Sequence, residues 1–200
     1  MTPPAVVLAG GAGLRMGGVD KALLPFGGAT LLDAVLGRLA PQAGPIAVSA
    51  NGDPGRFARF GLPVLADPLP GAGPLAGVLS AMRWARAAEA PIVVTVSVDT
   101  PFLPRRFVQA LRLAQVAAGS PVVLAETGGA ARRLHPTCGL WSTALADRLA
   151  ADLDGGARKL GLWAETQGAT RVSFDVAPGR PDPFFNLNTP DDMARAERMR

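Results

Sequence analysis

The stretch of this chain best suited to chemistry is Leu8-Ala9-Gly10-Gly11-Ala12-Gly13-Leu14-Arg15-Met16-Gly17-Gly18-Val19-Asp20-Lys21. Glycine permits φ > 0 and lets a ligand approach the backbone closely. Successive N–H groups in such a turn form an anion-binding concavity. Arg15 can grip two phosphate oxygens, and Lys21 adds a mobile point charge. A phosphate-bearing ligand is the expected occupant, in preference to a merely tight turn. Counting excludes two familiar glycine loops. Gly13 and Gly18 have Walker A spacing, but Val19 and Asp20 stand where Lys and Ser/Thr belong. Gly11 and Gly13 suit the dinucleotide fingerprint, but Met16 occupies the place of its third glycine.

The remaining chemistry-bearing residues are few. Asp99 follows the most strand-like run of the chain, residues 91–98, and Asp67 follows residues 63–66. Open α/β sheets hold their ligands at the carboxyl ends of strands, which makes both carboxylates candidates. Asp99 could hold a Mg²⁺ that also takes phosphate oxygens; a helix N-cap or turn role ahead of Thr100-Pro101 is the alternative. Asn51, in an Asn-Gly dipeptide, is either a ligand contact or a turn residue. His135 is the only histidine; one Cys, Cys138, three residues on makes no zinc site. No Ser-His-Asp or Cys-His arrangement is legible. Asn186 and Asn188 alternate on an extended segment and so share a face, to hold substrate or to tie the segment to a Thr189 cap.

These residues need a scaffold, and apolar periodicity supplies one. Strands are expected at 5–8, 46–49, 63–66, 91–98, 121–125, 134–140 and 170–174, the sixth after a Gly128-Gly129 hairpin turn. Helices are expected at 30–39, 55–60, 75–88, 104–117, 143–151 and 158–165, with a terminal one after Thr189-Pro190-Asp191-Asp192. Thr30 and Asp33 suggest a capping box. Strand–helix alternation argues a mainly parallel α/β sheet with right-handed crossovers. The 200 residues carry no long linker or internal repeat, so a single domain, 1–200, is expected.

With 48% hydrophobic and 18% charged residues, the composition is globular. No apolar run approaches a bilayer span, and no cation precedes the first apolar run, so neither a membrane segment nor a signal peptide is expected. A single cysteine suits a reducing compartment, and the cytoplasm is expected. The net charge of +4 is spread over dispersed arginines rather than clustered, which argues against nucleic acid and for small anionic ligands.

Taken together, Leu-Ala-Gly-Gly-x₄-Arg-Met-Gly-x₃-Lys, Asn51, Asp67, Gly73-Pro74-Leu75-Ala76-Gly77, Asp99-Thr100-Pro101, His135-Pro136-Thr137 and Asn186-Leu187-Asn188-Thr189-Pro190 resemble the molybdenum cofactor guanylyltransferase (MobA) family over nearly the whole chain. The resemblance implies a three-layer α/β/α Rossmann-like fold of the nucleotide-diphospho-sugar transferase type. It also implies GTP and molybdopterin, or molybdenum-loaded molybdopterin, as substrates, with Mg²⁺ (or Mn²⁺) as cofactor. The implied catalytic residues are Arg15, Lys21 and Asp99, with Asp99 the metal ligand. GTP would meet Leu8, Ala9, Gly10, Gly11, Gly13, Lys21, Asn51, Asp67, Gly77 and Asp99. His135, Thr137, Arg158, Asn186 and Asn188 fall on the acceptor side, with a plain strand residue the alternative for His135. A monomer is expected, making transient contacts with cofactor-loading proteins and molybdoenzymes. The alternatives are a cytidylyltransferase, a guanylyltransferase with another cofactor- or sugar-phosphate acceptor, or a nucleotide-binding regulator without catalysis.

Overall fold

The computed structural model describes residues 2–10, 20–69, 71–128, 132–176 and 179–199. Seven strands form one sheet: β1 (Ala5–Leu8), β4 (Ile46–Ser49), β5 (Val64–Leu65), β6 (Ile92–Ser97), β7 (Val122–Thr127), β8 (Arg133–Ser142) and β9 (Thr170–Phe174). Their order is β5-β4-β1-β6-β8-β7-β9. A separate two-stranded hairpin joins β2 (Pro25–Phe26) to β3 (Ala29–Thr30). The helices are α1 (Leu31–Leu39), α2 (Pro74–Ala87), α3 (Phe107–Ala118), α4 (Ala146–Asp154), α5 (Leu160–Thr166) and α6 (Pro190–Glu197).

The sheet is parallel except for β8, which runs antiparallel to both β6 and β7. The expected run 134–140 is thus a longer strand that wedges between two parallel ones. Its pairing with β7 jumps from Leu124–Gly139 to Ala125–His135. Three extra residues, Pro136, Thr137 and Cys138, bulge out of the ladder at that point. Period-two alternation sends side chains to both faces. In β1, Ala5 and Val7 pack with α1 and α3, whereas Val6 and Leu8 pack with α2, α4 and α5. Burial on both faces is why β1 reads as an unbroken apolar run and the middle of β6 as one interrupted only by Thr95, whose hydroxyl donates to the Thr137 carbonyl.

Local chemistry sets the helix ends. Thr30 and Asp33 form a reciprocal capping box at α1, and Thr189 with Asp192 does the same at α6, with Pro190 in the first turn. Asp33 also pairs with Arg59; these bonds to the ionised carboxyl outweigh its partial burial and hold its pKa below the ordinary value. Asp99 does not start a helix, since α3 begins only at Phe107. Residues 21–26 form a 3-10 turn, Lys21–Leu23, and then β2. The reason is Asp20, whose carboxylate accepts from the Ala22 N–H at 3.1 Å.

β1 leads by its crossover to β4 on one side, while β6 lies on its other side. The carboxyl ends of β1 and β6 therefore flank a topological switch point, where sheets of this kind leave a crevice. The C-terminal segment returns to that edge: the Leu187 N–H donates to the Asp99 carbonyl at 3.1 Å. A small cluster of Phe26, Leu31, Phe102, Leu187 and Ala196 fastens the β2–β3 hairpin and α6 beside it.

Candidate active site

Three elements distant in sequence meet at the end of β6. The Lys21 ammonium donates to Asp99 Oδ2 at 3.1 Å and to Asn188 Oδ1 at 3.0 Å. Lys21 arrives on the capped 3-10 turn, Asp99 on the turn after β6, and Asn188 on the segment that α6 anchors. There Asp192 Oδ2 accepts from the backbone N–H groups of Asn188 and Thr189 at 3.0 and 2.9 Å. The Lys21 and Asp99 side chains are only 21% and 17% exposed, so solvent screens this pair less than a surface pair.

Asp99 Oδ1 is buried and, among the described residues, has no hydrogen-bond partner. A carboxylate oxygen held out of water without a donor is costly, by roughly 1–3 kcal/mol or more, and a cation on the open side would offset that cost. Among the described residues, no group of three or more His, Cys, Asp or Glu could enclose a metal. The donor set fits an ion that takes one carboxylate and completes its shell with phosphate oxygens and water, the habit of Mg²⁺. It does not suit a metal that demands an all-protein cage.

A second polar group lies across the switch point, at the ends of β4 and β5. Asn51 and Asp67 bond reciprocally: the Asn51 amide donates to Asp67 Oδ2 at 2.7 Å, and the Asp67 N–H donates to Asn51 Oδ1 at 2.9 Å. The Ser49 hydroxyl reaches Asp67 Oδ1 at 3.4 Å. The carboxylate lies beside Gly10 and Gly77, where a Cβ would come within 3.8 and 3.7 Å of it. Gly77 is buried in α2, and a Cβ there would also meet Ser49 Oγ at 3.0 Å and Leu8 Cδ2 at 3.1 Å. Its missing side chain lets α2 approach the strand ends.

The backbone at the end of β1 is partly spent. The Leu8 carbonyl accepts from the Val98 N–H and the Ala9 N–H donates to the Ser49 carbonyl. The groups that extend past this last rung are the Ala9 carbonyl and the Gly10 N–H and carbonyl. Leu8 itself contributes its side chain to the core at 7% exposure. Gly11, Gly13 and Arg15 lie outside the described residues.

On the acceptor side the residues disperse. His135 is 5% exposed, stacked on Phe184 at 4.6 Å between ring centroids and bonded through Nε2 to Thr127 Oγ1 at 2.6 Å. The Thr127 hydroxyl donates in turn to Asp182 Oδ1 at 3.4 Å, so it accepts from an Nε2–H. Burial lowers the imidazole pKa to about 4, outweighing the attraction of Asp182 and Asp99. This neutral histidine pins the C-terminal return to β7 and β8, because β-strand alternation at the bulge turns it inward. Thr137 sits in the bulge, its carbonyl accepting from Thr95 Oγ1 at 2.9 Å. Arg158 is exposed and donates to the carbonyls of Leu153 and Ala157 at 2.9 and 2.6 Å, capping the end of α4 instead of joining the Lys21 cluster. Asn186 is half-buried on the same segment as Asn188.

Sequence reasoning missed Arg56. Its Nε meets Asp20 Oδ2 at 2.5 Å, and one Nη donates to the Asn51 carbonyl at 2.6 Å. The other Nη donates to the Asp53 carbonyl. The readable signal was the turn-rich run Asn51-Gly52-Asp53-Pro54-Gly55, which has to send the following side chain back over itself.

The model of the MobA-like NTP transferase domain matches residues 5–167. A molybdenum cofactor guanylyltransferase from Cereibacter sphaeroides is 50% identical over 196 residues, covering 97% of this chain and 95% of its own. Among solved structures, molybdopterin-guanine dinucleotide biosynthesis protein A from Archaeoglobus fulgidus superposes with a TM-score of 0.72 at 24% identity, covering 98% of this chain and 97% of that one. Rv0371C from Mycobacterium tuberculosis, solved in complex with manganese, superposes with a TM-score of 0.64 at 20% identity, covering 99% of each chain. The chain belongs to the MobA-like NTP transferase family.

Proposed function

We propose that this chain transfers GMP from GTP to the terminal phosphate of molybdopterin, or of its molybdenum form, giving the guanine dinucleotide cofactor and pyrophosphate. The observation that carries this reading is the Lys21–Asp99–Asn188 cluster at the switch point, with one buried carboxylate oxygen left for a ligand. An oxygen of the acceptor phosphate attacks the α-phosphorus as the bond to the β-phosphate oxygen breaks, and the pyrophosphate leaves with that electron pair. A phosphate monoester is largely dianionic at pH 7, since its second pKa is about 6, so the attack needs no general base. That agrees with a site whose lone histidine is buried and neutral.

The work left to the protein is positioning and neutralisation of charge. Lys21 brings its ammonium to the phosphates, with Arg15 assigned beside it. Asp99 would hold a divalent ion, Mg²⁺ with Mn²⁺ as the alternative, through Oδ1. Bound there, such an ion neutralises charge building on the phosphate oxygens. The Ala9 and Gly10 backbone groups, with Asn51 and Asp67, are assigned to the nucleoside, and Asn186 and Asn188 to the acceptor side. We place the reaction in the cytoplasm, in keeping with a single, fully buried cysteine whose thiol burial pushes up to about 11. Among the described residues, no helix is long and apolar enough to cross a membrane.

The test is nucleotide selectivity with molybdopterin as acceptor and Mg²⁺ present. Formation of the guanine dinucleotide with GTP well ahead of CTP is expected. Preference for CTP would overturn the guanine assignment, and transfer to no pterin acceptor would overturn the reaction.

A further inference from the structure

Arg56 touches both halves of the site described above. On the nucleoside side its guanidinium holds the carbonyls of Asn51, at 2.6 Å, and of Asp53. On the phosphate side it pairs with Asp20, whose other oxygen caps the turn that carries Lys21, accepting from the Ala22 N–H at 3.1 Å. The Arg56 and Asp20 side chains are 26% and 21% exposed, and the guanidinium lies 4.5 Å over the ring of Phe57, itself 1% exposed. A planar fork with three fixed acceptors and an aromatic floor is a rigid strut, not a solvated surface charge.

The loop is shaped to deliver it. Gly52 has φ +85°, and a Cβ there would stand 3.4 Å from Arg56 Nη1. Asp53 caps the 3-10 helix Pro54–Phe60 by accepting from the Gly55 N–H at 2.8 Å. This tight reversal folds the Arg56 side chain back across the carbonyls that precede it and onto Asp20, 36 residues away.

We propose that Arg56 is a positioning residue that couples the nucleoside side of the site to the phosphate side, so that occupancy of the Asn51–Asp67 corner fixes the turn that presents Lys21. This rests on the nucleotide reading given above. In the free protein the strut holds Asn51 and Lys21 in register; with a nucleotide bound, base and ribose contacts are thereby felt where the phosphates react. Arg56 does not itself touch the reacting atoms.

The experiment compares wild type with Arg56→Ala, Arg56→Lys and Asp20→Asn, using GTP and inorganic triphosphate as binding probes alongside turnover. Thermal unfolding checks that each variant is folded. Asp20→Asn retains an oxygen to cap the Lys21 turn and removes the charge that Arg56 needs. In Arg56→Ala, kcat/KM for GTP is expected to fall roughly 10- to 100-fold, the scale of lost charged hydrogen bonds, with both kcat and KM affected. The preference of the protein for GTP over inorganic triphosphate should shrink as well, a change that general loosening would not produce. Arg56→Lys should recover part of the loss, and the Arg56→Ala/Asp20→Asn double variant should be no worse than Arg56→Ala alone. Wild-type kinetics in Arg56→Ala, or equal proportional loss of both probes, overturns the coupling and leaves the nucleotide reading standing. Failure of wild-type protein to bind GTP overturns both.

Discussion

Two polar clusters near the same edge of the sheet are built in opposite ways. In the His135–Thr127–Asp182 relay every group has a partner inside the protein: imidazole to hydroxyl, hydroxyl to carboxylate, and that carboxylate also accepting from the Phe184 N–H at 2.8 Å. In the Lys21–Asp99–Asn188 cluster the bonding is incomplete, because among the described residues Asp99 Oδ1 is buried without a donor. A satisfied buried network rigidifies the fold, whereas a group left unsatisfied in a well-packed region calls for an explanation, and a ligand supplies one. The difference separates stability from function at two places that the sequence alone did not tell apart.

The largest effect expected from this contrast is at Asp99. Asp99→Ala should lower kcat/KM for guanylyl transfer by about 10³-fold, the scale of removing a preorganised charge from a phosphoryl-transfer site. Its melting temperature should stay at or above that of wild type, since an unsatisfied buried oxygen is removed; calorimetry beside single-turnover kinetics reads both. Lys21→Ala should lower turnover by about 10²-fold. Unlike Asp99→Ala it should also destabilise, because it strips the Asp99 carboxylate of its cation; urea unfolding measures that.

The relay should answer in the reverse sense. His135→Gln is expected to cost about 1–3 kcal/mol of stability while KM for GTP stays within a small factor of wild type. The pH dependence sharpens the point. The folded imidazole titrates at about 4, against an ordinary value of about 6.5. As pH falls through that window the unfolded chain takes up the proton first, so wild type loses stability from about pH 6.5 down to about pH 4. Urea unfolding across that range should show the loss in wild type and not its His135 component in His135→Gln. Gly77→Ala tests the packed corner: crowding Ser49 Oγ and Leu8 Cδ2 should cost about 1–2 kcal/mol and raise KM for GTP. The smallest effect is at the cap that anchors Asn188, where Thr189→Ala should cost about 1 kcal/mol in thermal unfolding.

What the sequence disclosed and what it hid follow the range of the interactions. The Thr30–Asp33 capping box and the Thr189 cap were legible because each closes within one turn. The largely apolar runs announced β1 and β6, and with them the strand end that carries Asp99. The antiparallel insertion of β8 was not legible, since pairing β8 between β6 and β7 is a choice among edges that no local pattern records. His135 could be singled out as the only histidine, but its burial depends on Phe184 and Asp182, almost fifty residues on. Arg56 escaped notice because its acceptors are backbone carbonyls and a distant aspartate. Arg15, the expected companion of Lys21, lies outside the described residues, and its role rests on the motif.

The most direct measurement of the central claim is single-turnover transfer of labelled GMP from GTP to molybdopterin by wild type, Asp99→Asn and His135→Gln in parallel, each at saturating Mg²⁺. Asp99→Asn keeps the shape of the side chain and removes its charge. The account predicts transfer by wild type, near-wild-type rates in His135→Gln, and loss of transfer in a fully folded Asp99→Asn. A rate in Asp99→Asn equal to that of wild type would contradict it.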